Sequence, residues 1–200
     1  MGLFGKSKKE VWNQLSNEIN ADMVDGGFWK GNRVEARHNQ WTIYLDTYTV
    51  STGKSAITYT RMRAPFVDKD GFNFKIYKKG VFSDIGKMFG MQDIEVGFEE
   101  FDENYIIQGN NEYLVKKLFS SYRIRQLIQK QPKIRLEIKK SEGIFGPAFT
   151  EEERELHFLV VGVIKDIELL KSLFELFSET LEELKLMGSA SDDLTNVELY

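Results

Sequence analysis

The chain has 200 residues and a mass of 23.2 kDa, with 42% hydrophobic and 29% charged residues, a net charge of −4 and a pI near 5.4. That is the composition of an ordinary globular protein, able to bury roughly 70% of the surface its unfolded form exposes, and it excludes disorder of the whole chain. With no cysteine there is no disulfide framework, no thiolate nucleophile and no cysteine-ligated zinc or iron–sulfur site.

The longest nearly unbroken apolar run, Phe158–Ile164, falls far short of the ~20 residues a spanning helix needs. The N-terminus MGLFGKSKKE lacks the apolar stretch of a signal peptide, so a cytoplasmic protein is expected. Gly2 does not complete a myristoylation motif, because Lys6 stands where Ser or Thr is required. Leu3 and Phe4 beside Lys6, Lys8 and Lys9 leave peripheral contact with an anionic membrane open.

Ser7 followed by Glu10 forms a capping box, and Val11, Leu15 and Ile19 recur at helical spacing, which predicts a helix over Lys8–Met23. Gly26 and Gly27 end it. From Arg33 to Lys79 the period changes to two. The runs RVEARH, WTIYLDTYTV, AITYTRMR and FNFKIYKK, separated by turn residues, predict an antiparallel four-strand meander. VFSDIGKMFG after Gly80 reads as a short helix, and the stretch from there to Tyr105 as loop.

YIIQG is then a strand, Asn110 or Asn111 caps a helix through Phe119, and Ser121 caps a second that Pro132 stops. KIRLEIKK and ELHFLVVGVI are strands. Asp166 caps the longest helix, which carries Leu170, Leu173, Phe174, Phe177, Leu181 and Leu184 on one face and ends at Gly188. The expected organisation is one α+β domain over residues 1–187, helices on a largely antiparallel sheet, with a mobile acidic tail over 188–200. FKIYKKGVF set over LEIKKSEGIF, and YIIQG with its helix over FLVVG with its helix, outline a β-β-α repeat.

Chemistry is sparsely signalled. His38 and His157 lie far apart without a second ligand at metal-binding spacing, and His157, among apolar residues in a strand, reads as a structural histidine. No phosphate loop, dinucleotide fingerprint or nucleophile elbow is present, so no metal and no cofactor is expected. Asp93 with Glu95, or Asp102 with Glu103, could do acid–base work if the fold brought them to a pocket.

The hairpin from Trp41 to Arg63 is more informative. Closing it over STGK pairs Asp46 with Tyr59, Tyr44 with Arg61 and Thr42 with Arg63. One face holds Trp41, Ile43, Leu45 and Met62 and belongs to the core. The other gathers Tyr44, Asp46, Tyr48, Tyr59, Arg61 and Arg63, where guanidinium groups beside phenols suit a phosphate or carboxylate, or form cross-strand pairs that only stabilise the sheet.

Charge is segregated along the chain. Met91–Asn104 carries six acids and no base, while Lys116–Lys140 carries nine bases against Glu137 alone. The acidic pI and the lack of a stacking motif argue for internal neutralisation and against nucleic acid. Between its glycine hinges, GVFSDIGKMFGM presents Phe82, Met88 and Phe89, residues suited either to docking a protein partner or to closing the core.

The segments WTIYLDTYTVSTGKS, TYTRMRAPF, FKIYKKGVFSDIGKMFGMQDIEVG and FDENYIIQGN, together with Gly162 before the last helix, resemble a bacterial family of proteins of unknown function. The pattern Phe101–Gly109 is also similar to a wider bacterial domain that in other members follows transmembrane segments. The resemblance implies no activity, cofactor or catalytic residue. The expectation is therefore a non-enzymatic cytoplasmic interaction or accessory protein with an unidentified protein partner. The alternatives are a binder of a small anion or anionic lipid on Tyr44, Asp46, Tyr59, Arg61 and Arg63, and an enzyme with a carboxylate site. An antiparallel sheet with free edges would also allow a dimer that extends it.

Overall fold

Ser7 accepts a hydrogen bond from the backbone N–H of Glu10, whose carboxylate in turn accepts from the N–H of Ser7 at 2.7 Å, and this box opens α1 (Lys8–Glu18). In the computed structural model, which describes residues 6–27, 31–51, 53–80, 92–140, 149–195, 197 and 199, α1 stops short of the expected Met23. Asn20 takes a left-handed backbone, φ 53°, which asparagine tolerates better than most side chains, and the N–H of Ala21 bonds back to Ser16. The residues beyond it then pair as β1 (Asp22–Asp25).

The period-two stretch forms β2 (Asn32–His38), β3 (Trp41–Ser51), β4 (Ala56–Val67) and β5 (Phe74–Lys78). Next come β6 (Gln92–Asp93), α2 (Glu99–Asn104), β7 (Tyr105–Gly109), α3 (Glu112–Ser120), α4 (Tyr122–Lys130), β8 (Arg135–Lys139), β9 (Glu153–Val161) and α5 (Ile167–Met187). Asn111, Ser121 and Asp166 cap α3, α4 and α5, and Gly188 closes α5 at φ 86°, as their sequence positions predict. The short helix α2 interrupts a stretch expected to be loop. Asp102 within it accepts the backbone N–H groups of Val96, Gly97 and Phe98, holding the turn that leads into it.

The strands form one nine-stranded sheet in the order β1-β2-β3-β4-β9-β8-β5-β7-β6, every neighbour antiparallel. The α+β class stands, with one correction to the meander. Its four strands are β1 to β4, and β5 does not follow β4, because β9 and β8 lie between them. β4 pairs with β9 from Tyr59 to Val67, which leaves β5 to join the sheet two places away. The two β-β-α segments, β5-β7-α3 and β8-β9-α5, lie side by side with their first strands paired, giving the local order β7-β5-β8-β9.

One face of the sheet carries Val34, Ile43, Leu45, Met62, Ile76, Ile107, Leu136, Leu156 and Phe158. These share a single core with Trp12 and Leu15 of α1, Val115 and Leu118 of α3, Leu127 of α4 and the inner face of α5. Trp41, Ile43, Leu45 and Met62 occupy the core side expected of them. Trp12 also donates its indole N–H to the carbonyl of Ile164, tying α1 to the end of β9. No described helix is long and apolar enough to cross a membrane.

The end of the chain differs from the expected mobile tail. Ala190 forms a bridge with Asp68, Ser191 donates its N–H to Val67, and Ser189 donates its hydroxyl to Asp70. Ala190, Val197 and Leu199 are buried. The acids that make the segment look solvated face outward, Asp192 to Lys185 and Gln40, and Asp193 to Lys69, while Ala190, Val197 and Leu199 turn in and Leu194 stays exposed.

Candidate functional site

In a strand, alternate side chains point to opposite faces, so a sheet whose apolar residues meet the helices must place the remainder on the other side. No strand residue of the second face belongs to the helix-covered core. Along one cross-strand line the residues in register are Asp22, Glu35, Tyr44, Arg63, His157, Glu137, Lys75, Gln108 and Asp93, one from each strand and none of them apolar. Its centre is buried, from Arg63 through Gln108.

Buried charge is tolerated only where it is matched. Glu137 is the hub. Arg135 lies 3.0 Å from its carboxylate, Lys139 3.5 Å and Lys75 3.7 Å, and Nδ1 of His157 lies 3.9 Å away. The Lys139 ammonium donates to Nε2 of His157 at 3.3 Å, so that nitrogen accepts and Nδ1 carries the proton. Burial first, and then the positive charges of Lys139, Arg61, Arg63 and Arg135, hold the imidazole well below its ordinary 6.5, and it is neutral. Burial also lowers Lys75, against the opposing pull of Glu137, and raises Tyr44, which Glu35 reinforces.

The Tyr–Arg cluster lies on this same face, with a register two residues from the expected one. β3 and β4 pair Asp46 with Arg61, Tyr44 with Arg63 and Tyr48 with Tyr59, because Ser51 pairs with Ala56 across a four-residue turn. A shift of two keeps every side chain on its face and changes only its partner. Asp46 accepts from Nε and Nη2 of Arg61, both at 2.8 Å, and from Nη2 of Arg63 at 2.7 Å. Arg63 is wholly buried, so a ligand reaches this pair of guanidinium groups only by displacing Asp46. Arg33 sits over the ring of Tyr44 and Arg61 over that of Tyr48, and Tyr59 is half-buried beside Tyr48, ring centres 6.3 Å apart.

Beyond Asp46 the same face turns apolar. Tyr48, Ile57 and Val161 are 45%, 39% and 55% exposed on three neighbouring strands, with Val50 and Tyr59 between them. Ile57 and Val161 escape sequence reasoning because a β-branched residue in a strand looks like core. The signal that identifies them is parity: they share the odd positions of Arg61 and His157.

The acidic loop lines a separate cleft of about 570 Å³ at the β6–β7 end, with Asp93, Glu95, Asp102, Glu112, Lys79 and Lys116 in its wall. Asp93 accepts from Gln108 at 2.8 Å, Lys79 donates to the carbonyl of Asp102, and Lys116 pairs with Glu112. With Asp102 holding three backbone N–H groups, Asp93, Asp102 and Glu112 are engaged in holding the fold. Part of the basic stretch is met internally, by other acids than the Met91–Asn104 block. Arg123 pairs with Glu175, Arg135 and Lys139 meet Glu137, and Arg125 lies over Phe98 and donates to the carbonyls that end α3. Phe82, Met88 and Phe89 lie outside the described residues.

No family model and no curated protein matches the chain. Among solved structures, the mycobacterial trehalose monomycolate transport factor A, TtfA, is similar, with a TM-score of 0.53 and 7% identity over 91% of this chain and 97% of that one. At that identity the likeness is one of fold.

Proposed function

We propose that the chain is a non-enzymatic accessory protein that binds a protein partner through the exposed apolar end of the sheet face opposite the helical core. The observation that carries this is the exposure of Tyr48, Ile57 and Val161 side by side, next to the paired charges of Asp46, Arg61 and Arg63. Contiguous apolar and aromatic surface of this kind is the usual core of a protein contact. The fold shared with a protein described as a transport factor supports an accessory role. Phe82, Met88 and Phe89 remain a second contact surface within the proposal, and a cytoplasmic location goes with it, to be checked by cell fractionation.

Tagged wild type, a Tyr48→Ser/Val161→Ser variant and a Phe82→Ser/Phe89→Ser variant are compared in capture from the native host, after each is shown to fold. Loss of one specific partner by the first variant is the expected result. Loss by the second variant alone moves the contact to the Phe82–Phe89 segment. Retention by both overturns the reading. A small anion on Arg61 and Arg63 is the weaker alternative, since Asp46 already accepts from both.

A further inference from the structure

β3 is paired with β4 as far as Ser51 but with β2 only as far as Leu45. On the β2 side, Asp46–Ser51 thus presents a strand edge with no ladder partner among the described residues. The two outer edges of the sheet are blunted: β1 is four residues bounded by Asp22 and Asp25, and β6 is two residues ending in Asp93. Short, charged edges are how sheets avoid pairing with other chains. Among the described residues the inner edge carries a charged side chain only at its start, where Asp46 stands and Lys8 donates to Thr47. Thr47, Tyr48, Thr49, Val50 and Ser51 are uncharged, include no proline and favour strand, and Tyr48, Thr49 and Ser51 are exposed.

We propose that this edge pairs, antiparallel, with the same edge of a second copy of the chain, about a two-fold axis at Thr49. A two-fold axis sets an edge against itself, so any charge at its centre would meet its like, and Tyr48, Thr49 and Val50 carry none. The charges beside it are Asp46, which accepts from Arg61, and Lys8 of α1, whose ammonium donates to the Thr47 hydroxyl at 3.1 Å. An axis at Thr49 places that residue opposite its own copy and Tyr48 opposite Val50 of the second copy, and an aromatic against a β-branched side chain is a favoured cross-strand pair. Such an axis, perpendicular to the sheet, keeps the same face upward in both copies. The apolar ends carrying Tyr48, Ile57 and Val161 then join into one strip. The pairing stands independently of what binds that strip.

Size-exclusion chromatography with light scattering, on the full chain at rising concentration, should show the mass approach twice the 23.2 kDa monomer. Thr49→Lys and Thr49→Glu each put like charges across the axis, and each alone should remain a monomer where the wild type is a dimer. Their equimolar mixture should recover the doubled mass. Amide hydrogen exchange on the wild type should show Thr47–Ser51 gaining protection with concentration, which tests the edge without any variant. A wild type that stays monomeric overturns the proposal. So do single variants that still dimerise, a mixture that does not, or an edge whose protection is independent of concentration.

Discussion

Arg63 on β4 lies directly across the ladder from His157 on β9, both buried on the face of the sheet that the helical core does not use. Burial first, and then the cations around it, Lys139, Arg61 and Arg63, keep the His157 imidazole unprotonated, and the price is stability in acid. The folded-state pKa of His157 is depressed below its ordinary 6.5, so the unfolded chain binds the extra proton first. The associated stability is therefore complete above that value and is lost as pH falls below it. Between about pH 7.5 and about pH 5.5 the loss from this one group is on the order of 1 kcal/mol. Urea unfolding at both values should show the wild type losing about that much more than His157→Gln.

Asp46 accepts from both Arg61 and Arg63, and removing one partner of a buried pair leaves charge without its match. Asp46→Ala should cost about 3 kcal/mol in denaturant unfolding. Arg61→Ala should cost less, because Arg63 would keep the carboxylate.

Gly109, the last residue of β7, has no room for a side chain: a Cβ there would collide with Cγ2 of Val115 on α3 and come within 3.2 Å of the Asn73 carbonyl. Gly109→Ala should destabilise by about 1–3 kcal/mol through overpacking. Val115→Ala should cost less in that background than in the wild type, and a double-mutant cycle by thermal unfolding measures the coupling.

Truncation after Gly188 tests the docked C-terminus. Leu199 and Val197 are buried, and each such side chain is worth about 1.5–3 kcal/mol when fully covered. The truncated chain should lose about 3 kcal/mol, whereas a solvated tail would leave stability unchanged.

These cases show what the sequence made legible. The caps at Ser7, Asn111, Ser121 and Asp166 and the stop at Gly188 are local chemistry and were readable in place. Which hairpin side chains face the core was equally clear, because parity survives any even shift of register. The partner of Asp46 was not, since Tyr59 and Arg61 share a face and only the position of the four-residue turn chooses between them. Strand order was hidden for another reason: the pairing of β4 with β9 depends on residues distant in the chain, and no local pattern in FNFKIYKK shows that two strands will come between it and β4. The ionic line through His157 was invisible because it takes one residue from each strand.

The strand order also bears on how the chain is made. Tyr59 leaves the ribosome long before Val161, its neighbour in the finished sheet, so the whole right-hand side of the first hairpins stays unmated until translation is nearly complete. Pairing across so much sequence is slow to find. A nascent chain carrying β1 to β4 alone should therefore engage holdase chaperones, and should shed them only once β9 has emerged.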